Sequence, residues 1–452
     1  MALLLFVVFN ACAQENPVSL NTILNRLENN APSLITDSAA ILIRQAQALE
    51  ARNNWLPNLK LNYQADLGSN NNVAGPYFGF GLIPSNSRGV RSQSNNNASL
   101  SNLGIAALDW EIYNFGAYSA ERKTANSAVE VQQNQYQLSK FQLQTLTINQ
   151  YLQLMLDHDL LQIQKANINR NQDIERSIRA LAKSGVRAGV DTSIAAAELS
   201  KAKLNYLELS NQMKQVQLQL GALTGLSYHT IQPDTTAESI LLQQSGLLSS
   251  GLKDSLSHPL LRYYQSAYQN ALQKQEMIKK QYNPKILLEA AFWGRGSSIT
   301  AEDQFRNLST GWGFDRNNYL LGIGVSYNLT DLKRRQLKLH TQQVSASYDR
   351  KKYLEQQELL SLRNGQADTE LSTARQRLKE IPNQLKAANA GYRQKFSLYK
   401  NGLTDIIELN AALNILYRAE TDFALARNTY CRALFEKAAM ENQVSTLLKL
   451  LN

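Results

Sequence analysis

The sequence predicts a mostly α-helical protein with a small β portion, built from two similar halves. Three observations support this fold class: two prolines at changes from helical to alternating hydrophobicity, two long loops of turn-forming residues, and two very long helical stretches. Of the 452 residues, 43% are hydrophobic and 19% are charged, which is the composition of a folded protein.

Each half contains a proline at a predicted change from helix to strand. One helical stretch runs from Pro32 to Pro57, and the other runs from Pro259 to Pro284. Proline cannot continue a helix, and it biases the residue before it towards an extended backbone. We therefore predict that a strand follows Pro57 and that another follows Pro284.

Alternating apolar residues predict two strands in each half, joined by loops over residues 68–102 and 294–318. Strands of about 9–11 residues with one apolar face suit a bilayer-spanning β-barrel, and an ordinary soluble hairpin is the alternative. Four strands cannot close a pore-sized barrel, so the barrel interpretation requires an oligomer. The predicted apolar faces are Leu59, Leu61, Tyr63, Ala65 and Leu67; Leu108, Trp110 and Ile112; Ile286, Leu288, Ala290 and Phe292; and Tyr319, Leu321, Ile323, Val325, Tyr327 and Leu329.

One exceptionally long helix is predicted after the second strand of each half. The first, from Ala117 to about Ser184, contains neither proline nor glycine and would be on the order of 100 Å long. The second, from Asp331 to about Lys400, is expected to kink at Pro382. Narrow apolar seams predict a coiled-coil wall around water, because a solid bundle needs a wider stripe. The heptad seam of the second helix is Ala367, Leu371, Ala374, Leu378, Ile381, Leu385, Ala388 and Tyr392.

Comparable turns end the two long helices. Gly185 and Gly189 lie in the first turn, and Gly402 lies in the second. Glycine can adopt the left-handed conformation that ends a helix, and Asp191 or Asp405 could cap the helix that follows.

No motif of an enzyme or of a cofactor site is recognisable. The four histidines are dispersed, so we expect no metal site, and phosphate-binding loops, HExxH and GxSxG sequences are missing. The net charge is +10, but the basic residues alternate with acidic ones along helices, so nucleic-acid binding is not expected. We predict no catalytic, cofactor-binding or metal-binding residue.

The first residues have the pattern of a secretory signal peptide. An apolar run up to Phe9 precedes Ala11-Cys12-Ala13, which fits cleavage after Ala13. Lipidation of Cys12 is the alternative. No later stretch approaches the roughly 20 apolar residues of a membrane-spanning helix.

Over residues 17–445 the order of elements resembles the TolC family of outer-membrane efflux proteins. Three local sequences carry the resemblance: Leu56-Pro57, the segment DWEIYNFG at 109–116, and Tyr399-x-x-Gly402 followed by the acidic segment 405–408. The resemblance implies a homotrimer in the outer membrane of a Gram-negative bacterium, with a twelve-stranded transmembrane β-barrel and a coiled-coil α-helical barrel extending into the periplasm.

The same resemblance implies the function and the partners. The chain would be a channel-tunnel subunit that exports small molecules, ions or proteins in a tripartite efflux or type I secretion system. Its partners would be a periplasmic adaptor (membrane fusion) protein, an inner-membrane pump of the RND or ABC type, and outer-membrane lipid. A non-channel periplasmic or secreted coiled-coil scaffold is the alternative function.

Carried over by position, the family's aperture residues give candidate sites at the two turns. Glu408 matches the first acidic ring of the aperture, whereas the second acidic position falls at Ala411. Thr404 stands where one family member has an arginine, so Asp405 or Asp191 could form the constriction instead. Helix capping is the alternative role for each aspartate, and a solvated surface position is the alternative for Glu408.

The resemblance also gives candidates for adaptor docking, the pairs Gly189-Val190 and Gly402-Leu403 at the two helix tips. The predicted division of the chain is a signal peptide at 1–13, a first repeat at 14–223, a linker at 224–256, a second repeat at 257–445 and a tail at 446–452.

Overall fold

A computed structural model describes residues 17–72, 90, 92–185, 188–243 and 257–451. The predicted signal peptide with Cys12, part of the first loop and part of the linker lie outside these residues. The chain divides into two compact units. Counting only the described residues, the helical unit lies within Met1–Ile43, Val129–Tyr268 and Tyr348–Asn452, and the sheet unit lies within Arg44–Ala128 and Gln269–Ser347.

The described elements follow the predicted order of helix, strand pair, long helix and returning helix, twice over. The helices are α1 (Leu20–Asn30), α2 (Pro32–Asn53), α3 (Ala117–Lys183), α4 (Gly189–Thr224), α5 (Thr236–Gln243), α6 (Pro259–Gln281), α7 (Asp331–Lys400), α8 (Ile406–Met440) and α9 (Val444–Lys449). The strands are β1 (Asn58–Gly68), β2 (Ser99–Tyr113), β3 (Lys285–Ser297) and β4 (Arg316–Ser326).

The four strands form one antiparallel sheet in the order β1-β2-β3-β4. Leu61 pairs with Ala106, Ala106 with Phe292, and Phe292 with Tyr319. Because side chains alternate along a strand, this register brings the apolar residues of all four strands onto one face. The predicted small β portion, with four strands and a shared apolar face, is confirmed.

Three strands extend by three or more residues into the predicted loops. The sequence predicts loops over 68–102 and 294–318, but β2 begins at Ser99, β3 runs to Ser297 and β4 begins at Arg316. Glycines usually weaken strands, yet here Gly296 is needed in β3, because a Cβ at this position would lie 1.6 Å from the carbonyl oxygen of Gly313. The loop therefore folds back against the strand and requires a residue without a side chain there.

The long helices match their predicted bounds. Helix α3 contains 67 residues and α7 contains 70, and α7 continues through Pro382. The heptad positions Ala367, Leu371 and Ala374 are buried. None of the helices in the described ranges has the length and hydropathy to cross a bilayer.

The core of the helical unit is organised around Tyr151, which is fully buried. Its hydroxyl donates a hydrogen bond to the carbonyl oxygen of Val18 (2.8 Å) and accepts one from the amide of Asp234 (2.9 Å). Val18 also forms a parallel bridge with Pro233. The predicted linker and tail therefore contain packed structure, since α5 and α9 contribute Leu241 and Leu447 to the same core.

One buried ammonium group connects α7 and α8. The Nζ of Lys437 lies 2.9 Å from a Glu441 carboxylate oxygen, 2.6 Å from Asp368 and 3.0 Å from the side-chain oxygen of Asn364. Lys437 and Glu441 are almost completely buried. A buried charge needs such partners, because desolvation of an unpaired ion is costly.

Candidate functional site

The two helix tips have the same backbone construction. Gly402 and Gly185 both adopt positive φ angles, of 78° and 74°. Each glycine comes two residues after a long helix ends and four residues before the next helix begins. In the second tip the amide of Leu403 donates to the carbonyl oxygen of Leu398, the hydrogen bond that completes a Schellman-type helix end.

This construction establishes which residues of the two tips are equivalent. Counted from the tip glycines, Asp191 and Glu408 occupy the same position, in the first turn of α4 and of α8. Asp405 corresponds to Ala188, not to Asp191. Acidic residues in the first turn of a helix interact favourably with its positive dipole end.

Only one of the two aspartates caps a helix in the described structure. Asp405 is the N-cap of α8, and its side chain accepts a hydrogen bond from the amide of Glu408 at 2.8 Å. Helix α4 begins at Gly189, after Ala188, so Asp191 lies inside its first turn. The expected cap at Asp191 is therefore wrong, because the helix starts two residues before this side chain.

Glu408 is held by two neighbours. Its carboxylate accepts hydrogen bonds from Lys395 Nζ (2.6 Å) and from the hydroxyl of Thr404. Hydrogen bonding from Lys395 is the largest cause that lowers the pKa of Glu408, followed by hydrogen bonding from Thr404 and by the charge of Lys395. The candidate aperture carboxylate is thus charged and compensated within its own chain.

A compact apolar cluster supports the tips. It is formed by α3, α4, α7 and α8, and Leu409 at its centre is completely buried. Tyr392 and Phe396 stack beside it with ring centroids 5.8 Å apart. The other buried members are Ile174, Ile178, Ala195, Tyr399, Ile406 and Leu413. Because this cluster fixes the helix ends, the charged residues beyond it have defined positions.

The candidate docking residues lie at the outer surface of the tips. Leu403 is 73% exposed and Val190 is 62% exposed. By backbone position, however, Gly189-Val190 corresponds to Ile406-Ile407. Ile407 is itself 69% exposed, so each tip presents an apolar side chain at this equivalent position.

We predict a pH dependence at the second tip from the lowered pKa of Glu408. At pH values above 4.5, the ordinary pKa of the group, the ionised carboxylate of Glu408 stabilises the folded tip. This stabilisation disappears as the pH falls through the lowered pKa. Hydrogen exchange of amides 402–409 should be a few-fold faster in Glu408→Gln than in the wild type at pH 7. The ratio should approach one near pH 3. A ratio that stays constant over this range would contradict the assignment.

A second candidate site is the apolar face of the sheet. Large apolar residues on it are unusually exposed: Leu61 is 79%, Leu321 is 71% and Tyr319 is 84% accessible. β1 and β4 are the outer strands of the described sheet. An exposed apolar face of this extent indicates contact with membrane or with another protein.

Comparison with a family of known proteins identifies this architecture. Residues 23–226 match the model of a family described as outer membrane efflux protein. Over these residues the chain is similar to TolC-like outer membrane efflux proteins. Such proteins lie in the outer membrane of Gram-negative bacteria and extend into the periplasm.

Solved outer-membrane proteins share the fold of this chain over nearly its whole length. The channel OprN is 16% identical, with a TM-score of 0.75, covering 94% of this chain and 90% of its own. VceC from Vibrio cholerae is 13% identical, with a TM-score of 0.73 and coverages of 93% and 95%. CmeC from Campylobacter jejuni is 12% identical, with a TM-score of 0.74 and coverages of 96% and 89%. No protein of curated function matches the sequence.

Lys395 is a candidate functional residue that the sequence alone did not reveal. The sequence feature that could have indicated it is its position in the heptad pattern of α7. It lies between Tyr392 and Tyr399, where an apolar residue is expected. A lysine at such a position calls for an acidic partner, and the structure supplies Glu408 on α8. In the described ranges no group of three or more potential metal-ligating side chains occurs.

Proposed function

We propose that three copies of the chain form the channel, with four strands from each copy in one twelve-stranded barrel. The exposed apolar face across all four strands is the observation that carries this proposal. Four strands leave two open edges, and joining edges between copies satisfies their backbone groups. The apolar face then meets lipid, which offsets the cost of its exposure to water.

We further propose that the helices of the three copies enclose a water-filled tunnel through which solutes leave the periplasm. The chain carries out no reaction itself. An inner-membrane pump of the RND or ABC type supplies the energy, and a periplasmic adaptor protein connects the pump to the helix tips. The exposed side chains Val190 and Leu403 support adaptor docking at both tips. The division into two repeats, with a signal peptide at 1–13, remains part of this proposal.

At the tips, we assign the gate to Glu408, Asp405 and Asp191. Asp405 fixes the start of α8 by capping it, and Glu408 is compensated by Lys395. Rings of carboxylates around a pore attract cations and repel anions. Compensation by Lys395 reduces this effect for Glu408, so we expect Asp191 to contribute more to cation selectivity.

Cross-linking at the second tip tests the proposal. Leu403→Cys places an accessible thiol at the tip, where the copies of a trimer approach the pore axis. The native Cys431 does not compete, because burial raises the pKa of its thiol to about 12. Treatment with a short bismaleimide should yield covalent dimers and trimers and should reduce export by tenfold or more.

The matched control is Leu207→Cys, at an exposed position of similar accessibility in the middle of α4. It is not expected to block export after the same treatment. Efficient cross-linking of Leu403→Cys with unaffected export would contradict a passage through the tips. A monomeric, detergent-independent wild-type chain would contradict the channel assignment altogether.

A further inference from the structure

The helix-side end of the sheet has an unusual concentration of positive charge. All four strands meet helices at this end, because β1 and β3 start there and β2 and β4 finish there. We define the junction band as residues 50–60, 109–123, 274–285 and 327–338. It contains twelve basic and six acidic side chains, and therefore most of the net charge of +10.

Most of this positive charge is uncompensated and exposed. Four acidic residues of the band form salt bridges within it, for example Glu111 with Lys285 at 2.7 Å and Asp109 with Lys60 at 3.8 Å. Eight basic residues form no salt bridge within the described ranges, and all but the half-buried Arg335 are exposed. They are Arg52, Arg122, Lys123, Lys274, Lys280, Lys333, Arg335 and Lys338.

The described residues at the opposite end of the sheet lack this excess. Residues 64–72, 92–103 and 293–318, which the structure describes, contain three basic and four acidic side chains. The asymmetry is therefore a property of the helix-side end and does not reflect the basic composition of the whole chain.

Aromatic residues lie between the apolar face and these charges. The rings of Trp55 and Trp110 are 6.2 Å apart, and the indole nitrogen of Trp110 donates to the carbonyl oxygen of Trp55 at 2.8 Å. The ammonium of Lys338 lies 5.5 Å from the ring centre of Tyr282. Trp and Tyr prefer the headgroup level of a membrane, where one end of the side chain is apolar and the other is wet.

We propose that the junction band is a docking surface for the phosphate headgroups of anionic phospholipids in the periplasmic leaflet. From the sheet towards the helices, the protein presents an apolar face, then aromatic rings, then cations. A membrane leaflet has the matching layers in the same order: acyl chains, then the interface, then phosphates. Zwitterionic headgroups carry their own ammonium group, so charge complementarity selects lipids with net negative charge. This inference rests on the sheet being inserted in the membrane.

The test compares two variants with equal charge loss. The band variant is R52Q/K123Q/K280Q/K333Q, with one exposed cation at each of the four junctions. The control variant is K203Q/K351Q/R363Q/K386Q, which removes three lysines and one arginine from exposed positions in helices α4 and α7 outside the band. The full-length protein is titrated in detergent with phosphatidylglycerol or phosphatidylcholine, and bound lipid is counted by native mass spectrometry.

The wild type and the control variant should bind phosphatidylglycerol more tightly than phosphatidylcholine. In the band variant the ratio of the two affinities should be at least about tenfold smaller. Glycerol phosphate, which lacks acyl chains, should not compete at equal concentration; competition by it would indicate a soluble-anion site and overturn the proposal. Equal preference in the two variants would also overturn it. The same spectra give the number of subunits in the assembly and so test the trimer separately. Failure of the channel proposal can therefore be distinguished from failure of the lipid-docking proposal.

If the quadruple variant does not yield folded protein, R52Q/K280Q serves as the second variant. It should reduce the preference for phosphatidylglycerol several-fold, and K351Q/R363Q is its control. An unchanged preference in R52Q/K280Q would overturn the proposal in the same way.

Discussion

Replacing Lys437 by methionine is expected to lower the free energy of unfolding by about 3–5 kcal/mol. The substitution leaves the Glu441 carboxylate, which is 5% exposed, without the ammonium that lies 2.9 Å away. Removing one partner of a buried ion pair costs more than the pair contributes, because the remaining charge is desolvated and uncompensated. Asp368 is affected less, since water reaches its exposed carboxylate.

Chemical denaturation of the detergent-solubilised protein, followed by circular dichroism at helical wavelengths, measures this effect. The double variant Lys437→Met/Glu441→Gln should recover at least half of the loss, because the isolated charge is no longer present. Lys395→Met is the surface control, since Lys395 and Glu408 are about half exposed and such pairs contribute little to stability. A loss as small as that of the surface control would show that Glu441 is not buried in the folded protein.

Gly296→Ala is the substitution with the next largest expected effect, a loss of about 3 kcal/mol, at the upper end of the range for overpacking. The new Cβ would lie 1.6 Å from the backbone oxygen of Gly313 and 3.0 Å from the side-chain oxygen of Asn102. A backbone atom cannot rotate away as a flexible side chain can. The loop must therefore detach from β3, and the hydrogen bond from Asn102 to Gly313 is lost with it.

Gly322→Ala is the matched control in the same sheet, because nothing lies within 4 Å of the Cβ that it adds. Its effect should stay within about 0.5 kcal/mol, as for most surface substitutions. Tryptophan fluorescence during denaturation reports on both variants, since Trp293 and Trp312 lie near the affected contact. Equal stability of the two variants would contradict the close approach of loop and strand.

Local rules were sufficient to predict the four strands and the two long helices of this fold. Pro57 and Pro284 mark helix-to-strand changes that depend only on the missing amide and on the proline ring, so their effect does not require tertiary contacts. The alternation of apolar residues likewise predicted which side chains share a face. The heptad spacing in α7 predicted its buried positions, such as Leu371.

Tertiary contacts determined what the sequence analysis missed. The sequence predicts an earlier end for β3, because Gly294 and Gly296 resemble loop residues until the returning loop is known. The partner of Glu408 was missed because Lys395 lies on a different helix, thirteen residues away. The sequence does not predict that α4 starts at Gly189, because glycine is an unfavourable residue for a helix.

The equivalence of Asp191 and Glu408 has a consequence for the symmetry of the proposed trimeric pore. The residue that corresponds to Lys395 in the first tip is Ile178, which is completely buried. In the described ranges Asp191 forms no salt bridge, whereas Glu408 is paired with Lys395. In the proposed trimer, three Asp191 carboxylates and three Glu408 carboxylates paired with Lys395 would alternate around the axis. The backbone of the six tips would then have nearly sixfold symmetry, whereas the electrostatic potential that a permeating cation meets would have threefold symmetry.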